Sequence, residues 1–183
     1  EVSTFVQRLC GICPVSHHLA AAKAIDQLVG VDELTPTSLK LRQLLHFGQT
    51  LQSHALHFFH LSSPDLLFGF GSDVAKRNIV GVIEKYPDIA IKGVKLRKYG
   101  QQIIAAIAGK RVHGAAAIPG GMNKSLSKEE RQTLLADIAD IKAWAAEAVA
   151  MNEQIHVAHP EHHDFGKLNT SFLSLTGKAG ELE

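Results

Sequence analysis

Apolar residues recur at helical spacing along most of this chain. From His18 to Val29, Leu19, Ala22, Ile25, Leu28 and Val29 share one face, Ser16 or His17 leads in, and Gly30 offers a C-terminal stop, which predicts a helix. Thr35-Pro36-Thr37 opens the longest periodic run, with Leu41, Leu44, Leu45, Gly48, Leu51, Ala55, Phe58 and Phe59 in register, and Ser62-Ser63-Pro64 is expected to end it. Its histidines His46, His54, His57 and His60 lie, at about 100° per residue, on an arc nearly opposite the apolar stripe.

Phe68-Gly69-Phe70-Gly71 is read as a connector, after which Asp73 is expected to cap a helix from Val74 to Lys85. Asp88 is expected to cap the next, which runs to about Ala108, buries Val94, Ile103, Ile104 and Ile107, shows Lys92, Lys95, Arg97 and Lys98 as a solvated face, and stops at Gly109. Residues 110–124 are glycine-rich and irregular, with a tight turn at Gly120-Gly121; a phosphate loop would need a preceding strand and a Lys-Ser/Thr pair. Ser127 with Glu130 forms a capping box that opens a helix through Leu134, Leu135, Ile138, Ile141, Ala145 and Ala148 to about Gln154. Residues 156–164 read as a polar surface loop, Ser171–Leu175 alternate like a short strand, and Thr176-Gly177-Lys178 read as a turn. The expected architecture is mostly α, a helical bundle in one unit over residues 1–183, with a short β element starting at the C-terminal edge.

Composition narrows the function classes. A hydrophobic fraction of 45% against 20% charged suits a folded domain with a real core. The formal net charge of +1 gives nucleic acid or anionic lipid no bulk attraction. No stretch approaches the roughly 18 apolar residues of a membrane span, and Glu1-Val2-Ser3-Thr4 does not begin a secretory leader, so a cytoplasmic location is expected. The chain starts at Glu1 instead of Met, which suggests a piece of something longer.

The chemistry concentrates in Arg8-Leu9-Cys10-Gly11-Ile12-Cys13-Pro14-Val15-Ser16-His17-His18, which holds both cysteines of the chain. The loop a disulfide would close there is too small to be a useful staple. Two thiolates at Cys-x-x-Cys spacing can grip one soft or borderline metal, and a helix N-terminus favours thiolate over thiol. Thiol–disulfide exchange, half a structural zinc site and half a catalytic metal site all fit that spacing, as do buried thiols with no ligand role. The strands of a thioredoxin-like βαβ unit are missing, which counts against exchange. The helix histidines lack acidic or cysteine partners on their face and read as solvated or interface groups. His156, His159, His162 and His163 lack a recognised ligand spacing and are read as surface loop, and Asp65 as a cap or turn residue.

Residues 8–17, R-L-C-G-I-C-P-V-S-H, resemble the N-terminal nickel-binding signature of the large, catalytic subunit of nickel-iron hydrogenases, R-x-C-G-x-C-x-x-x-H. The likeness continues through residues 53–65, residues 96–101 and Ile118-Pro119-Gly120-Gly121, and is nearest to the bidirectional, NAD(P)-linked branch. The resemblance implies the helical core of that subunit and reversible oxidation of H2 to protons and electrons. It implies nickel held by four thiolates, with Cys10 a terminal nickel ligand and Cys13 bridging nickel to an iron that carries carbon monoxide and cyanide. Arg8 and His17 would lie just outside the ligands, with His17 donating toward a bridging sulfur. An iron-sulfur small subunit would take the electrons, and a flavin-containing diaphorase module would pass them to NAD(P).

The family's second cysteine pair, its upstream proton-transfer glutamate and the arginine over the metals do not occur here, so the chain reads as an internal fragment, truncated at both ends and not expected to be active alone. Ser53 stands where many members have Asp, as the NAD-linked branch also does, and His113-Gly114 stands where many have His-Pro. The rival reading is a non-catalytic zinc-binding helical interaction module that uses Cys10, Cys13 and two histidines such as His17 and His18. A metal-free descendant in a membrane-bound complex would not need the retained cysteines.

Overall fold

The computed structural model describes residues 1–180. It is mostly helical, as expected: α1 Val2–Val6 and a 3-10 turn Gln7–Leu9, then α2 Pro14–Leu28, α3 Pro36–Leu56, a π turn His57–Ser62, α4 Ser63–Phe68, α5 Ile79–Lys85 and α6 Pro87–Ala108. A two-stranded antiparallel hairpin follows, β1 Ala117–Ile118 and β2 Gly121–Met122, with Ala117 opposite Met122. Then come α7 Lys128–Ala136, α8 Ile138–Ala158 and a 3-10 turn Pro160–His162. No helix among the described residues is long and apolar enough to cross a membrane.

The centre is the crossing of α3 and α6. Leu45, Leu96, Ile104 and Ile107 are fully buried, joined by Leu41, Ala55, Phe59, Tyr99 and Ile103 from the two helices and the adjoining π turn, and by Val15 of α2, Ala116 and Ile141. Close approach is possible because glycine faces glycine. A Cβ on Gly48 would come within 2.8 Å of Ile103, and one on Gly100 within 2.5 Å of the Gly48 carbonyl oxygen. Gly93 likewise admits Phe59, whose side chain fills the space an added methyl would take.

Several expected boundaries shift, each for a local reason. Pro64 does not end the long helix. The wider π turn carries the chain past it, Pro64 falls in the first turn of α4, where no amide hydrogen is needed, and Ser63 Oγ donates to Phe59 O at 2.6 Å. Asp73 caps only an isolated turn, its Oδ1 accepting from Ala75 N at 3.0 Å. The cap of α5 is Asn78, whose Oδ1 accepts from Val80 N at 2.9 Å and Gly81 N at 3.1 Å. Asp88 lies inside the first turn of α6, behind Pro87, instead of capping it.

Val94 is 56% exposed, not buried. The inward face of α6 runs Gly93, Leu96, Tyr99, Gly100, Ile103, Ile104, Ile107, and counting only apolar side chains overlooks the glycine that sets its phase. The basic face of α6 is partly engaged: Lys92 pairs with Glu147, and Lys95 Nζ sits 4.9 Å from the Trp144 ring centre. The helix after Ser127 is broken at Asp137. Tyr99 Oη donates to Leu134 O at 2.6 Å, taking the carbonyl that would accept from Ile138 N in a continuous helix.

Ser171–Leu175 form no strand. Phe172, Leu173 and Leu175 are 89%, 101% and 79% exposed, with no partner strand among the described residues. The β element lies in the glycine-rich segment, where Gly120 at φ 76° makes the turn. By its internal contacts the chain divides into two compact units, Glu1–Ala148 and Val149–Glu183; the second holds the end of α8 and the last 3-10 turn.

Candidate metal centre

The cysteine loop begins where the 3-10 turn gives out, with Cys10 extended at φ −142°, ψ 133°. Cys13 is the residue before α2, and Pro14 occupies the first turn. Between them the chain folds back on the first sulfur: Cys10 Sγ accepts from Ile12 N at 3.3 Å and Cys13 N at 3.2 Å. The Cys13 thiol donates to Cys10 Sγ at 2.9 Å. That hydrogen bond, with the two backbone donors, holds Cys10 below the usual thiol range. Cys13 is pushed up by the same bond, by burial and by the Cys10 charge. The proton of the Cys13 thiol thus lies between the two sulfurs, and Cys10 is the easier of the two to ionise.

His17 lies one helical turn beyond Cys13. The three donor atoms of Cys10, Cys13 and His17 fall within 4.8 Å of one another, all on half-buried residues. Arg8 does not join them: it is exposed, and its guanidinium donates to the Thr4 carbonyl of the preceding helix, α1.

Three side chains from other elements fix the loop, and sequence periodicity does not single them out for that role. From α3, Gln52 Nε2 donates to Ile12 O at 3.3 Å, and one turn earlier Gln49 Oε1 accepts from Ser16 N at 3.1 Å while its amide donates to Ser16 Oγ. Both glutamines are buried, and their spacing of three places them above one another on the helix. From the segment after α6, His113 Nε2 faces Cys10 O at 3.2 Å, which assigns the proton to that nitrogen. His113 has the strained φ of 54°, and the next residue explains the departure at Gly114: a Cβ there would lie 2.6 Å from Ala108 Cβ and 2.7 Å from Ala108 O.

His18, 1% exposed, organises the floor behind the loop. Its Nδ1 donates to Ser3 O at 3.0 Å, and Nε2 accepts from Ala116 N at 3.2 Å and Ala117 N at 2.9 Å. Both ring nitrogens are spent on backbone, so His18 cannot serve as the fourth ligand of a zinc module. The hairpin is tied down again by Asp26 and Arg42. Arg42 Nη1 lies 2.5 Å from Asp26 Oδ2, its Nη2 donates to Ile118 O at 3.0 Å and Gly121 O at 3.1 Å, and Asp26 Oδ1 accepts from Gly120 N at 2.8 Å. Burial pushes the Asp26 carboxyl up, but the bonds from Arg42 and Gly120 with the Arg42 charge outweigh it and hold the group below the usual carboxylate range.

The α3 histidines do not assemble. His54 Nδ1 faces Thr50 O at 2.9 Å within its own helix, and His46 and His57 are exposed. A second metal-range group among the described residues is His159, Glu161 and His162, in the segment read as plain surface loop.

Soft sulfurs this close, with an imidazole beside them, suit nickel, zinc or low-valent iron, and fill at most part of a coordination sphere. Comparison with known proteins points the same way. A nickel-dependent hydrogenase family model matches residues 1–68. The vhu F420-non-reducing hydrogenase of Methanocaldococcus jannaschii has a subunit that is 44% identical over 176 residues, 96% of this chain and 42% of that protein. The beta subunit of the NAD-reducing hydrogenase HoxS of Cupriavidus necator is 48% identical over 140 residues, 74% of this chain and 29% of that protein. The crystal structure of an NAD+-reducing [NiFe]-hydrogenase in the H2-reduced state superposes with a TM-score of 0.94 at 51% identity, covering 100% of this chain and 41% of that one. The chain thus spans less than half the length of the relatives it matches.

Proposed function

Because the chain belongs to the nickel-dependent hydrogenase family, as part of a large subunit, we propose that its whole protein catalyses the reversible oxidation of H2 to protons and electrons. The observation that carries this reading is the pair of sulfurs 2.9 Å apart on a loop clamped from α3 and from His113. The donor set fits a nickel-iron centre. Cys10 would be a terminal nickel ligand and Cys13 the bridge to iron, with two further thiolates from the family's second cysteine pair in the rest of the protein. Carbon monoxide and cyanide would complete the iron. When bound, that centre supplies the heterolytic cleavage of H2 and takes up the electrons.

The chain's own residues supply position and proton handling. Gln52 and His113 hold the carbonyls of Ile12 and Cys10, so the sulfurs keep their separation without metal. The proton between Cys13 and Cys10 must leave for both to ligate, and the amide hydrogens of Ile12 and Cys13, both directed at Cys10 Sγ, favour its loss from that sulfur. His17 is within reach to orient a sulfur.

Electrons would pass to an iron-sulfur small subunit, then onward through a flavin diaphorase module to NAD(P), in the cytoplasm. The 51% identity to an NAD+-reducing enzyme supports that branch. The test is Cys13→Ser in the whole protein, read by metal analysis and H2 uptake. Loss of nickel or iron together with activity is expected; normal metal content and turnover overturn the proposal. A single zinc with neither nickel nor iron in the unmodified protein would favour the interaction module instead.

A further inference from the structure

We propose that His159, Glu161 and His162 form an additional metal site, which takes a borderline divalent ion of the zinc, nickel or cobalt class through two imidazoles and a carboxylate. Their three donor atoms lie within 4.8 Å of one another. His159 Nδ1 is 2.8 Å, and His162 Nε2 3.8 Å, from the same Glu161 oxygen. Ligands at about 2.0–2.1 Å in a tetrahedral sphere sit about 3.3 Å apart, midway between those distances, so modest side-chain rotation completes the geometry.

The backbone builds this convergence. α8 ends at Ala158, and His159 leaves the helix at φ −126°, ψ 67°. Pro160 then starts a 3-10 turn that is closed by His162 N donating to His159 O at 3.0 Å. In such a turn residues three apart eclipse, and the two imidazole rings stack with centres 5.2 Å apart and planes 15° from parallel. His163 ties the turn back to α8: its Nε2 donates to His156 O at 2.9 Å and its ring stacks on His156 at 4.1 Å. All of these residues lie in the second unit, so the site is assembled within it.

Ligand chemistry selects the ion. A neutral imidazole nitrogen facing a carboxylate oxygen needs a proton or a cation between them, and a metal ion replaces that proton without redox change. Two nitrogens and one oxygen without sulfur suit zinc, nickel or cobalt(II), and suit calcium, magnesium or copper(I) poorly.

The experiment uses the 183-residue chain carrying Cys10→Ser and Cys13→Ser, so that no thiolate competes. Cobalt(II) titration followed by visible absorption, and equilibrium dialysis with zinc and nickel, should show one bound ion with no sulfur charge-transfer band. Adding Glu161→Gln, or His159→Ala with His162→Ala, should weaken binding by at least the roughly tenfold typical of lost outer-shell partners, with unchanged helical circular dichroism. His46→Ala, on α3, should change nothing. No binding in the cysteine-free chain, or binding undiminished by Glu161→Gln and by the double histidine change, overturns the site.

Discussion

Replacing Gly100 with alanine tests whether the α3–α6 crossing is set by backbone contact. The added Cβ would meet Gly48 O at 2.5 Å, Gln52 N at 2.7 Å and Gln52 Cβ at 2.8 Å. Restoring the 3.4 Å of ordinary contact from 2.5 Å requires the helices to part by about 0.9 Å, since two of the three atoms are backbone and cannot rotate away. Overpacking of this kind costs about 1–3 kcal/mol, and rigid neighbours place this site in the upper half of that range. Alanine in a helix returns about 1 kcal/mol relative to glycine. The net loss is about 1.5 kcal/mol, which for a chain of this size lowers Tm by about 3–6 °C. Thermal unfolding followed by circular dichroism measures it directly, with Gly71→Ala as the control, because nothing lies within 4 Å of a Cβ there. An unchanged or raised Tm for Gly100→Ala would refute the close crossing. Gln52 moves with α3, so a looser cysteine loop should accompany the lower Tm, visible as weaker cobalt(II) binding at Cys10 and Cys13.

Asp26→Asn should destabilise the chain by about 3–5 kcal/mol at pH 7, since it strands the Arg42 charge in a buried site. The folded carboxyl titrates below its unfolded value, so its contribution is complete above about pH 5, fades as pH falls through the unfolded value near 3.9, and is gone below the folded one. Urea midpoints against pH should show that acid-side loss in the parent and not in Asp26→Asn. Ser127→Ala removes an N-cap oxygen that accepts from Glu130 N at 3.1 Å, and should cost about 1 kcal/mol in the same assay.

The elements that were legible in sequence are those whose signals are local. The Ser127–Glu130 capping box, the stop at Gly109 and the turn at Gly120 depend on residues within one turn of chain. What was not legible depends on a distant partner. The break at Asp137 falls where Tyr99, 35 residues away, donates to the Leu134 carbonyl, a bond no local signal announces. Asp73 looked like a cap because nothing nearby distinguishes it from Asn78, whose side chain is the one that meets two free amides of α5. At the site, Cys10, Cys13 and His17 were visible as a spacing, and the structure brings them together, while Arg8 turns back onto α1. Gln49, Gln52 and His18 carry no motif. Their one sequence-level signal is that they are polar residues at positions the apolar period assigns to the buried side of a helix, and a buried polar residue must find partners.

Those buried polar residues explain how the proposed half-site keeps its shape. A loop of four residues, Cys10 to Cys13, has no core of its own, and its carbonyls at Cys10 and Ile12 would otherwise be free to turn. Each is taken by a donor from a different part of the chain, His113 and Gln52, and each donor is itself fixed. Gln52 rides on α3, whose position is set by glycine contacts with α6. His113 leads into the segment whose Ala116 and Ala117 amides are gripped by His18, and whose hairpin is gripped by Asp26 and Arg42. The buried ion pair is therefore part of what shapes the proposed metal site although it touches no sulfur. Removing its charge should loosen the hairpin first and the Cys10 carbonyl with it, so Asp26→Asn should weaken metal binding at the cysteines even at temperatures where the helices remain folded.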